Sequence, residues 1–362
     1  MTHVSRRQFL GSGLEAALAA SLTPLAAGAS SLVAGASPRS VVSIAAVRNG
    51  RIGHAVEEAI DLLGGIATVA KGKGRILLKP NLVADSPACT TKPEVIGALA
   101  RLMKSAGKEV LIGEASAAAD GFNVKGPETY RTRRRDVLDE MQQHVFDRLG
   151  FSELAGTLHV PLVNLHSGKM AEVPVRDAHA FATLTLHESV ASADLVCSVP
   201  MMKTHVLATV TLSMKNLIGL YPGTVYYSVR SWVHDRAAEK GSPGVAYEIL
   251  DVVRANRTGL AVIDASSAMQ GDGPLLGSPV DMNLIVAGTD PLAADMVAAT
   301  LMGIDVAEVP TFACAHRAGM RPLSLDEIEI RGRRIDEARR SFVRPHLVPW
   351  TSISRSWGAK EL

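Results

Sequence analysis

The stretch RILLKPN, residues 75–81, decides the fold class of this chain. A strand-like apolar run ends there directly in a polar turn that Pro80 fixes. Runs of the same kind recur further along the chain, and helical patterns separate most of them. They lie at residues 109–113, 195–199, 260–264 and 283–287. This alternation predicts an α/β fold, in which helices flank a mainly parallel (mixed) sheet in Rossmann-like layers.

The remaining elements are predicted from periodicity and from start and stop signals. Further strands are expected at residues 41–47, 159–165, 181–186 and 327–330, and helices at 52–63, 91–107, 137–149, 206–217 and 247–254. Thr91 and Glu94 predict a capping box at the start of the second helix, and Gly107 is placed to end it. Residues 200–205 are predicted to form a loop.

The N-terminus has the features of an export signal. Arg6 and Arg7 precede a stretch from residue 11 to residue 36 that is rich in Ala, Leu, Gly and Ser. This pattern resembles a twin-arginine signal peptide over residues 1–36, which implies recognition by the twin-arginine translocation machinery and a periplasmic or secreted protein. The alternative is an ordinary basic start followed by a lasting membrane helix. Because Glu15 and Pro24 interrupt the apolar stretch, no lasting membrane span is expected.

Beyond the signal, the chain is long enough for one large α/β domain, predicted over residues 37–335 and followed by a C-terminal tail, 336–362. Residues 115–136 lose periodicity and fill with Gly, Pro and charged residues. We therefore expect an insertion that passes over the sheet edge or the active face.

Composition gives no sign of a nucleic-acid partner, and cysteine spacing gives no sign of a built-in metal centre. A formal net charge of +2 and the absence of an interleaved basic and aromatic motif give no reason to expect nucleic acid. The three cysteines, Cys89, Cys197 and Cys314, fit neither a built-in iron–sulfur cluster motif nor a zinc ribbon. An oxidising compartment would permit a disulfide between Cys89 and Cys314, and the sequence leaves that pairing open.

Polar residues that follow the predicted strands indicate where a ligand would bind. The carboxyl ends of parallel strands meet at one edge of a sheet, so side chains from separate loops are expected to converge there. Lys79 and Asn81 follow one strand, and Lys203 and His205 follow another. Lys79 suits a phosphate or carboxylate, with a structural ion pair as the alternative, and Asn81 either orients the ligand or bonds to its own turn.

His205 is the predicted proton-transfer residue, and a metal ligand or a hydrogen-bonded histidine at a helix start are its alternatives. Lys215 and Asn216 fall in an apolar helix, where burying either one requires a partner. We predict a site role for Lys215, with Lys203 and Lys79, in neutralising an anion, and ligand contact for Asn216.

Further candidates come from the second half of the chain. Asp264 ends a strand, and with His205 and His234 it forms a candidate metal set, although no ligand spacing such as HExxH supports it. Gly271 and Gly273 are candidates for backbone contact with an anion, or they simply shape a loop. Asp290 is a candidate ligand contact, and its position before a proline also fits a helix N-cap.

Several of these motifs occur together in one known family. LLKPNL (77–82), KTH (203–205), MKNLIG (214–219), GDGP (271–274) and GTDPLA (288–293) resemble, in this order, the domain of unknown function 362 family. The resemblance extends from about residue 41 to residue 319 and implies little about activity, because the biochemistry of the family is largely unassigned. Some relatives carry appended ferredoxin modules, whose cysteines this chain lacks.

The sequence therefore predicts an exported enzyme that binds a small anionic molecule or cofactor in a crevice of Lys, His and Asp side chains. Redox chemistry is slightly preferred, by analogy with the iron–sulfur relatives, and a metal ion is a candidate cofactor. The alternative is a non-catalytic periplasmic protein that captures an anion or a metal. The sequence identifies neither the cofactor nor the substrate.

Overall fold

The computed structural model describes residues 39–355 and 357–362. The predicted signal peptide, with Arg6 and Arg7, lies outside the described residues. The described residues form one compact unit. Within the described part of the chain, no helix combines the length and the apolar character that crossing a membrane requires.

The described residues form sixteen strands and fourteen α-helices, besides short 3-10 turns. The strands are β1 (Ser40–Ala46), β2 (Arg75–Pro80), β3 (Glu109–Glu114), β4 (Val124–Lys125), β5 (Glu128–Arg131), β6 (Leu162–Asn164), β7 (Met170–Pro174), β8 (Thr183–His187), β9 (Leu195–Val199), β10 (Met201–His205), β11 (Thr209–Thr211), β12 (Thr258–Gln270), β13 (Ser278–Val280), β14 (Leu284–Gly288), β15 (Ile328–Gly332) and β16 (Trp357–Glu361). The helices are α1 (Ile52–Leu62), α2 (Ile66–Val69), α3 (Pro93–Ser105), α4 (Arg135–Arg148), α5 (Phe151–Leu158), α6 (Glu188–Ala191), α7 (Ser213–Asn216), α8 (Gly223–Tyr226), α9 (Ser231–Glu239), α10 (Ala246–Ala255), α11 (Pro291–Leu301), α12 (Pro310–Arg317), α13 (Ile335–Ala338) and α14 (Trp350–Ile353).

A mixed, mostly parallel sheet lies at the centre of the molecule. Its strand order is β15-β1-β14-β12-β9-β2-β3-β6, and along this path β14 alone runs opposite to its neighbours. The short strands β10, β11 and β13 extend the β12 side of the sheet. The predicted α/β fold with a mainly parallel, mixed sheet is confirmed.

Helices cover both faces of this sheet, because strands such as β2 and β9 are apolar on both sides. One face packs against α1, α3, α4 and α5, and the other packs against α7, α10, α11 and α12. Because β2, β3 and β9 are parallel neighbours, the loops at their carboxyl ends meet at one edge of the sheet.

The prediction of one helix over residues 206–217 is wrong. Residues 201–205, predicted as a loop, form β10 instead, which pairs with β12 and then turns back as β11. Helix α7 begins only at Ser213, where the Asp295 carboxylate accepts the backbone N–H groups of Ser213 and Met214. Thr211, predicted on a helix face with Lys215, therefore lies in a strand. Long-range pairing with β12 outweighs the local helical pattern here.

The predicted capping box at α3 is also absent. The Thr91 hydroxyl donates to the carbonyl of Val199 (2.6 Å) and accepts the backbone N–H of Asn81 (2.9 Å), so it joins two strand ends instead. Asp264 accepts the backbone N–H of Lys92, the residue that precedes α3 (3.0 Å). A carboxylate that is distant in sequence thus bonds near the start of this helix.

The predicted insertion and the predicted tail meet in a second small sheet. Residues 115–136 contain β4 and β5, and β16 from the C-terminal segment pairs with β5. Residues 336–362 also contain α14 and most of α13, and Trp350 in α14 is buried. This segment is therefore part of the compact unit, and it passes over the loops at the carboxyl ends of the central strands.

Candidate functional site

A cavity of about 490 Å³ lies where the carboxyl ends of β2, β3 and β10 meet α7 and the C-terminal segment. The predicted site residues on its lining are Lys79, Asn81, Lys203, His205, Lys215, Asn216, His234 and Gly273. They come from five separate parts of the sequence, and the structure brings them to one place. Their roles are not tested by this placement and remain predictions.

Lys79 and Glu114 form a buried ion pair beneath the cavity. The Lys79 ammonium group donates to the Glu114 carboxylate (2.7 Å), to the Asn216 side chain (2.9 Å) and to the carbonyl of Pro80 (2.8 Å). Lys79 has no exposed surface. Burial lowers the pKa of Lys79 to about 8, although Glu114 opposes this effect. Lys79 thus takes the structural ion pair that the sequence left as an alternative.

Asn216 is part of the same network and does not offer a free amide. Its side-chain nitrogen donates to the carbonyl of Lys79 (3.2 Å) and to the hydroxyl of Ser198 (3.1 Å). Gly219 lies against this network, because a Cβ there would be 2.5 Å from the Lys79 nitrogen. Asn216 thus holds the ends of β2 and β9 against α7, and its predicted contact with a ligand stays a prediction.

Lys203 and Arg230 place two more charges on the cavity lining, and neither has a carboxylate from the described residues in contact with it. Lys203 is fully buried and donates to the carbonyls of Cys89 (2.6 Å) and Pro274 (3.4 Å). Arg230 donates to the carbonyls of Ala115, Ser116 (3.1 Å) and Gly219 (3.4 Å). Burial lowers the pKa of Lys203 to about 8 and that of Arg230 to about 10, so both remain cationic at neutral pH.

Arg230 is held in place by an unusual backbone. Val229 and Arg230 have φ angles of 49° and 53°, which residues other than glycine seldom adopt. A β-branched valine in this region carries strain that the surrounding contacts must offset. This backbone places the Arg230 side chain against the strand end at Ala115.

Lys215 differs from the other cations because it is partly exposed and its ammonium group makes neither a hydrogen bond nor an ion pair with any described residue. Burial, followed by the charges of Arg230, Lys203 and Lys79, lowers the pKa of Lys215 to about 7. Like charges that share a cavity attract an anion, and Lys215 is the member that can contact one directly.

His205 and His234 are neutral and carry their protons on opposite ring nitrogens. His205 Nδ1 accepts the backbone N–H of Leu207 (3.0 Å), so its proton lies on Nε2. His234 Nδ1 donates to the carbonyl of Arg230 (2.8 Å), which leaves its Nε2 as an acceptor. Burial, then the charge of Lys215, lowers the pKa of His205 well below its usual range and that of His234 to about 3. The cavity therefore contains one imidazole donor and one imidazole acceptor.

Asp264 and Asp290 lie away from the cavity lining. The Asp264 carboxylate accepts the hydroxyl of Ser266 and the backbone N–H of Lys92. Asp290 caps α11 by accepting the backbone N–H groups of Leu292 (2.9 Å) and Ala293 (3.2 Å). Asp290 thus forms the helix N-cap that its position before Pro291 also fits.

The two glycines shape a loop whose backbone donors are already used. The Gly271 N–H donates to the carbonyl of Val343 (2.9 Å), and the Gly273 N–H donates to the carbonyl of Gly271 (2.8 Å). A Cβ at Gly273 would collide with the carbonyl of Thr204. Glycine is required here by the close approach of two chain segments, and neither N–H remains free for an anion.

The predicted metal set is not assembled. His205 and His234 share the cavity, but Asp264 does not line it. Over residues 39–355 and 357–362, no three His, Cys, Asp or Glu side chains are grouped so that they could hold a metal ion. Over the same ranges, Cys89, Cys197 and Cys314 are free thiols, which answers the open question of a disulfide between Cys89 and Cys314.

Three contributors to the cavity were missed from the sequence. Glu114 directly follows the strand predicted over residues 109–113, and a carboxylate at a strand end was a usable signal. Arg230 lies in an irregular segment and gives no such signal. The C-terminal segment contributes His346, Val348, Trp350, Ser352, Ile353 and Trp357 to the lining, although its composition suggested only a tail.

Comparison with known proteins agrees with the motifs. The family described as Domain of unknown function (DUF362) matches residues 76–300, which is more than half of the chain. The chain belongs to the DUF362 family. The twin-arginine branch that the sequence suggests stays a prediction.

Two individual proteins are similar to this DUF362 chain. A thylakoid-associated protein of Synechocystis, sll1697, is 28% identical over 270 residues, which cover 74% of this chain and 75% of that protein. The lactate racemase apoprotein from Thermoanaerobacterium thermosaccharolyticum is 13% identical and superposes with a TM-score of 0.42, covering 74% of this chain. This chain spans 58% of the racemase's length.

Proposed function

We propose that the cavity binds a small anion beside Lys215, and that the protein is an enzyme that transfers a proton to or from the bound molecule. The observation that carries this proposal is the Lys215 ammonium group, which lies in the cavity without a partner among the described residues. Of the carboxylates on the lining, Glu114 is paired with Lys79, and Asp272 is paired with His346. An anion would supply the missing countercharge.

The two imidazoles support the catalytic part of the proposal. His205 Nε2–H can donate to an oxygen of the bound molecule, while His234 Nε2 can accept a proton. An anion at Lys215 offsets one of the charges that depress the pKa of His234, and it thereby raises that pKa toward neutral pH. Binding and proton acceptance would therefore be coupled. The preference for redox chemistry stays a prediction.

Anion binding is tested by titrating the purified protein with acetate and with inorganic phosphate, using calorimetry. Lys215→Met keeps an unbranched side chain that is one atom shorter and removes the charge. It should weaken binding at least about tenfold, the usual loss for a charge-assisted hydrogen bond. Lys240→Met, at an exposed lysine outside the cavity, is the matched control and should bind like the unaltered protein. Equal affinity in the two variants would overturn the proposal.

Catalysis is tested separately by deuterium exchange. Small oxo acids carry an acidic C–H beside their carbonyl group, and NMR in D₂O would follow its exchange. His234→Gln should slow this exchange at least about 100-fold, the usual contribution of a general base, while acetate still binds. Binding without exchange of any oxo acid by the unaltered protein would favour the alternative, a non-catalytic capture protein.

A further inference from the structure

The geometry points to an amphipathic ligand: a carboxylate whose charged head lies at Lys215 and whose apolar chain extends beneath the C-terminal segment. This inference rests on the proposed anion site and adds the chemical class of the molecule. It comes from the unequal polarity of the two ends of the cavity and from its size.

The inner end of the cavity is charged and sealed. Lys79 and Lys203 have no exposed surface, and Glu114 and Arg230 are each about 2% exposed. Lys215 is the charged group from this end that is partly exposed. A charged head group is therefore directed toward Lys215 and away from the outer end.

The outer end of the cavity is mainly apolar. Val83, Ala117 and Val229 line one side, and Trp350 and Trp357 line the side formed by the C-terminal segment. At the mouth, Leu276 is 85% exposed, which is unusual for a large aliphatic side chain. An apolar chain lying here would cover these surfaces, and the removal of apolar surface from water would favour binding.

The volume is too large for the head group alone. A cavity of roughly 150 Å³ holds one benzene molecule, whereas this one measures about 490 Å³. On the same scale of about 25 Å³ per carbon atom, a carboxylate at Lys215 leaves room for roughly sixteen carbon atoms, so an eight-carbon acid fits. Acetate or phosphate would occupy only the inner end.

A series of straight-chain carboxylates tests the inference on the full chain. We expect the affinity to rise about fourfold for each added methylene from butanoate to octanoate, which is the usual effect of burying one CH₂ group. A shift of tryptophan fluorescence to shorter wavelength should accompany binding of octanoate, because its chain would displace water from Trp350 and Trp357. Octanol, which lacks the charge, should bind at least about tenfold more weakly than octanoate.

Ala117→Phe fills the apolar end and should lower the ratio of octanoate to acetate affinity to a few-fold. The matched control is Ala313→Phe, which makes the same change at a partly exposed alanine of α12 outside the cavity. That variant should keep the ratio of the unaltered protein. Circular dichroism would show whether each variant folds.

Each result separates this inference from the proposed function. If acetate and octanoate bind with equal affinity and both depend on Lys215, the inference of an apolar ligand chain is wrong. The proposed anion site would stand. Octanoate binding that Lys215→Met leaves unchanged would overturn the proposed orientation. If Ala117→Phe does not fold, the chain-length series on the unaltered protein still decides the outcome.

Discussion

The ammonium group of Lys215 lies near two neutral imidazoles and three other cations, and its pKa of about 7 places its ionisation in the physiological range. A lysine has this property only where burial and like charges act together. The sequence predicted a site role for Lys215 but not its free ammonium group. Its environment is made by Arg230, Lys203 and Lys79, which come from three distant segments.

Anion affinity should depend on pH through Lys215. The pKa is depressed in the folded protein, so Lys215 loses its charge as the pH rises through about 7. Below this pH affinity should be constant, and above it affinity should fall by roughly tenfold per pH unit. Lys215→Arg, which stays charged, should move the start of this fall from about pH 7 to about pH 8, where Lys79 and Lys203 begin to lose their charges. Calorimetric titrations with acetate between pH 6 and pH 9 measure both, and an identical pH profile in the two proteins would refute the assignment.

The buried ion pair under the cavity should be important for stability. Glu114→Gln leaves the Lys79 ammonium group buried without its countercharge, and we expect a loss of about 3 kcal/mol in the free energy of unfolding. Glu239→Gln, which removes an exposed pair with Arg236, should cost less than about 0.5 kcal/mol. Urea denaturation of both variants makes the comparison. A similar small change in each would show that Lys79 does not need Glu114.

Strands show most clearly what the sequence could and could not predict. The ends of β2 and β9 were recognisable because apolar runs stop abruptly at polar residues or proline. β10 was not recognisable, because its residues Met201–His205 owe their strand conformation to pairing with β12, about sixty residues away. The same limit applies to β16, whose partner β5 lies more than two hundred residues earlier. Pairing between distant segments leaves no local periodicity.

Helix α14 is short, and its contacts with α9 depend largely on one side chain, Trp350. Its Trp350 packs on His234 with a ring separation of 4.6 Å and donates its indole N–H to Asp235 (2.6 Å). Trp350→Phe keeps an aromatic ring and removes this donor, so we expect a local loss of about 1 kcal/mol. Hydrogen exchange should quicken in residues 346–362 and stay unchanged in β2.

Trp232→Phe is the matched control for this change. Trp232 is 44% exposed, stacks on Tyr226 and has no hydrogen bond to its indole nitrogen among the described residues. Its replacement should leave exchange in residues 346–362 as it is in the unaltered protein. Equal exchange in the two variants would show that the bond to Asp235 does not hold the C-terminal segment.

At the scale of the whole molecule, membership of the DUF362 family and the mixed, mostly parallel sheet confirm the predictions of family and fold class. The site is assembled from the carboxyl ends of the strands together with a segment that lies outside the family match, residues 336–362. The family motifs therefore describe the inner end of the cavity, and the apolar outer end depends partly on this further segment.

Export is the prediction that concerns the entire chain. Replacing Arg6 and Arg7 by lysine should leave the full-length precursor in the cytoplasm, because a twin-arginine signal is read as an address by its receptor. Replacing Arg39 and Arg48 by lysine preserves the same charges beyond the signal and should not affect export. Fractionation of the native host with an antibody against the protein measures both, and unaltered export of the first variant would contradict the prediction.

The pairing of β16 with β5 also has a consequence for biosynthesis. A ribosome synthesises the Lys79 and Lys215 regions well before residues 346–357, so a nascent chain carries the cationic end of the cavity before its aromatic wall exists. During that interval the cavity lacks the side that Trp350 and Trp357 form. A ligand of the proposed kind can therefore contact these tryptophans only after translation has passed Trp357.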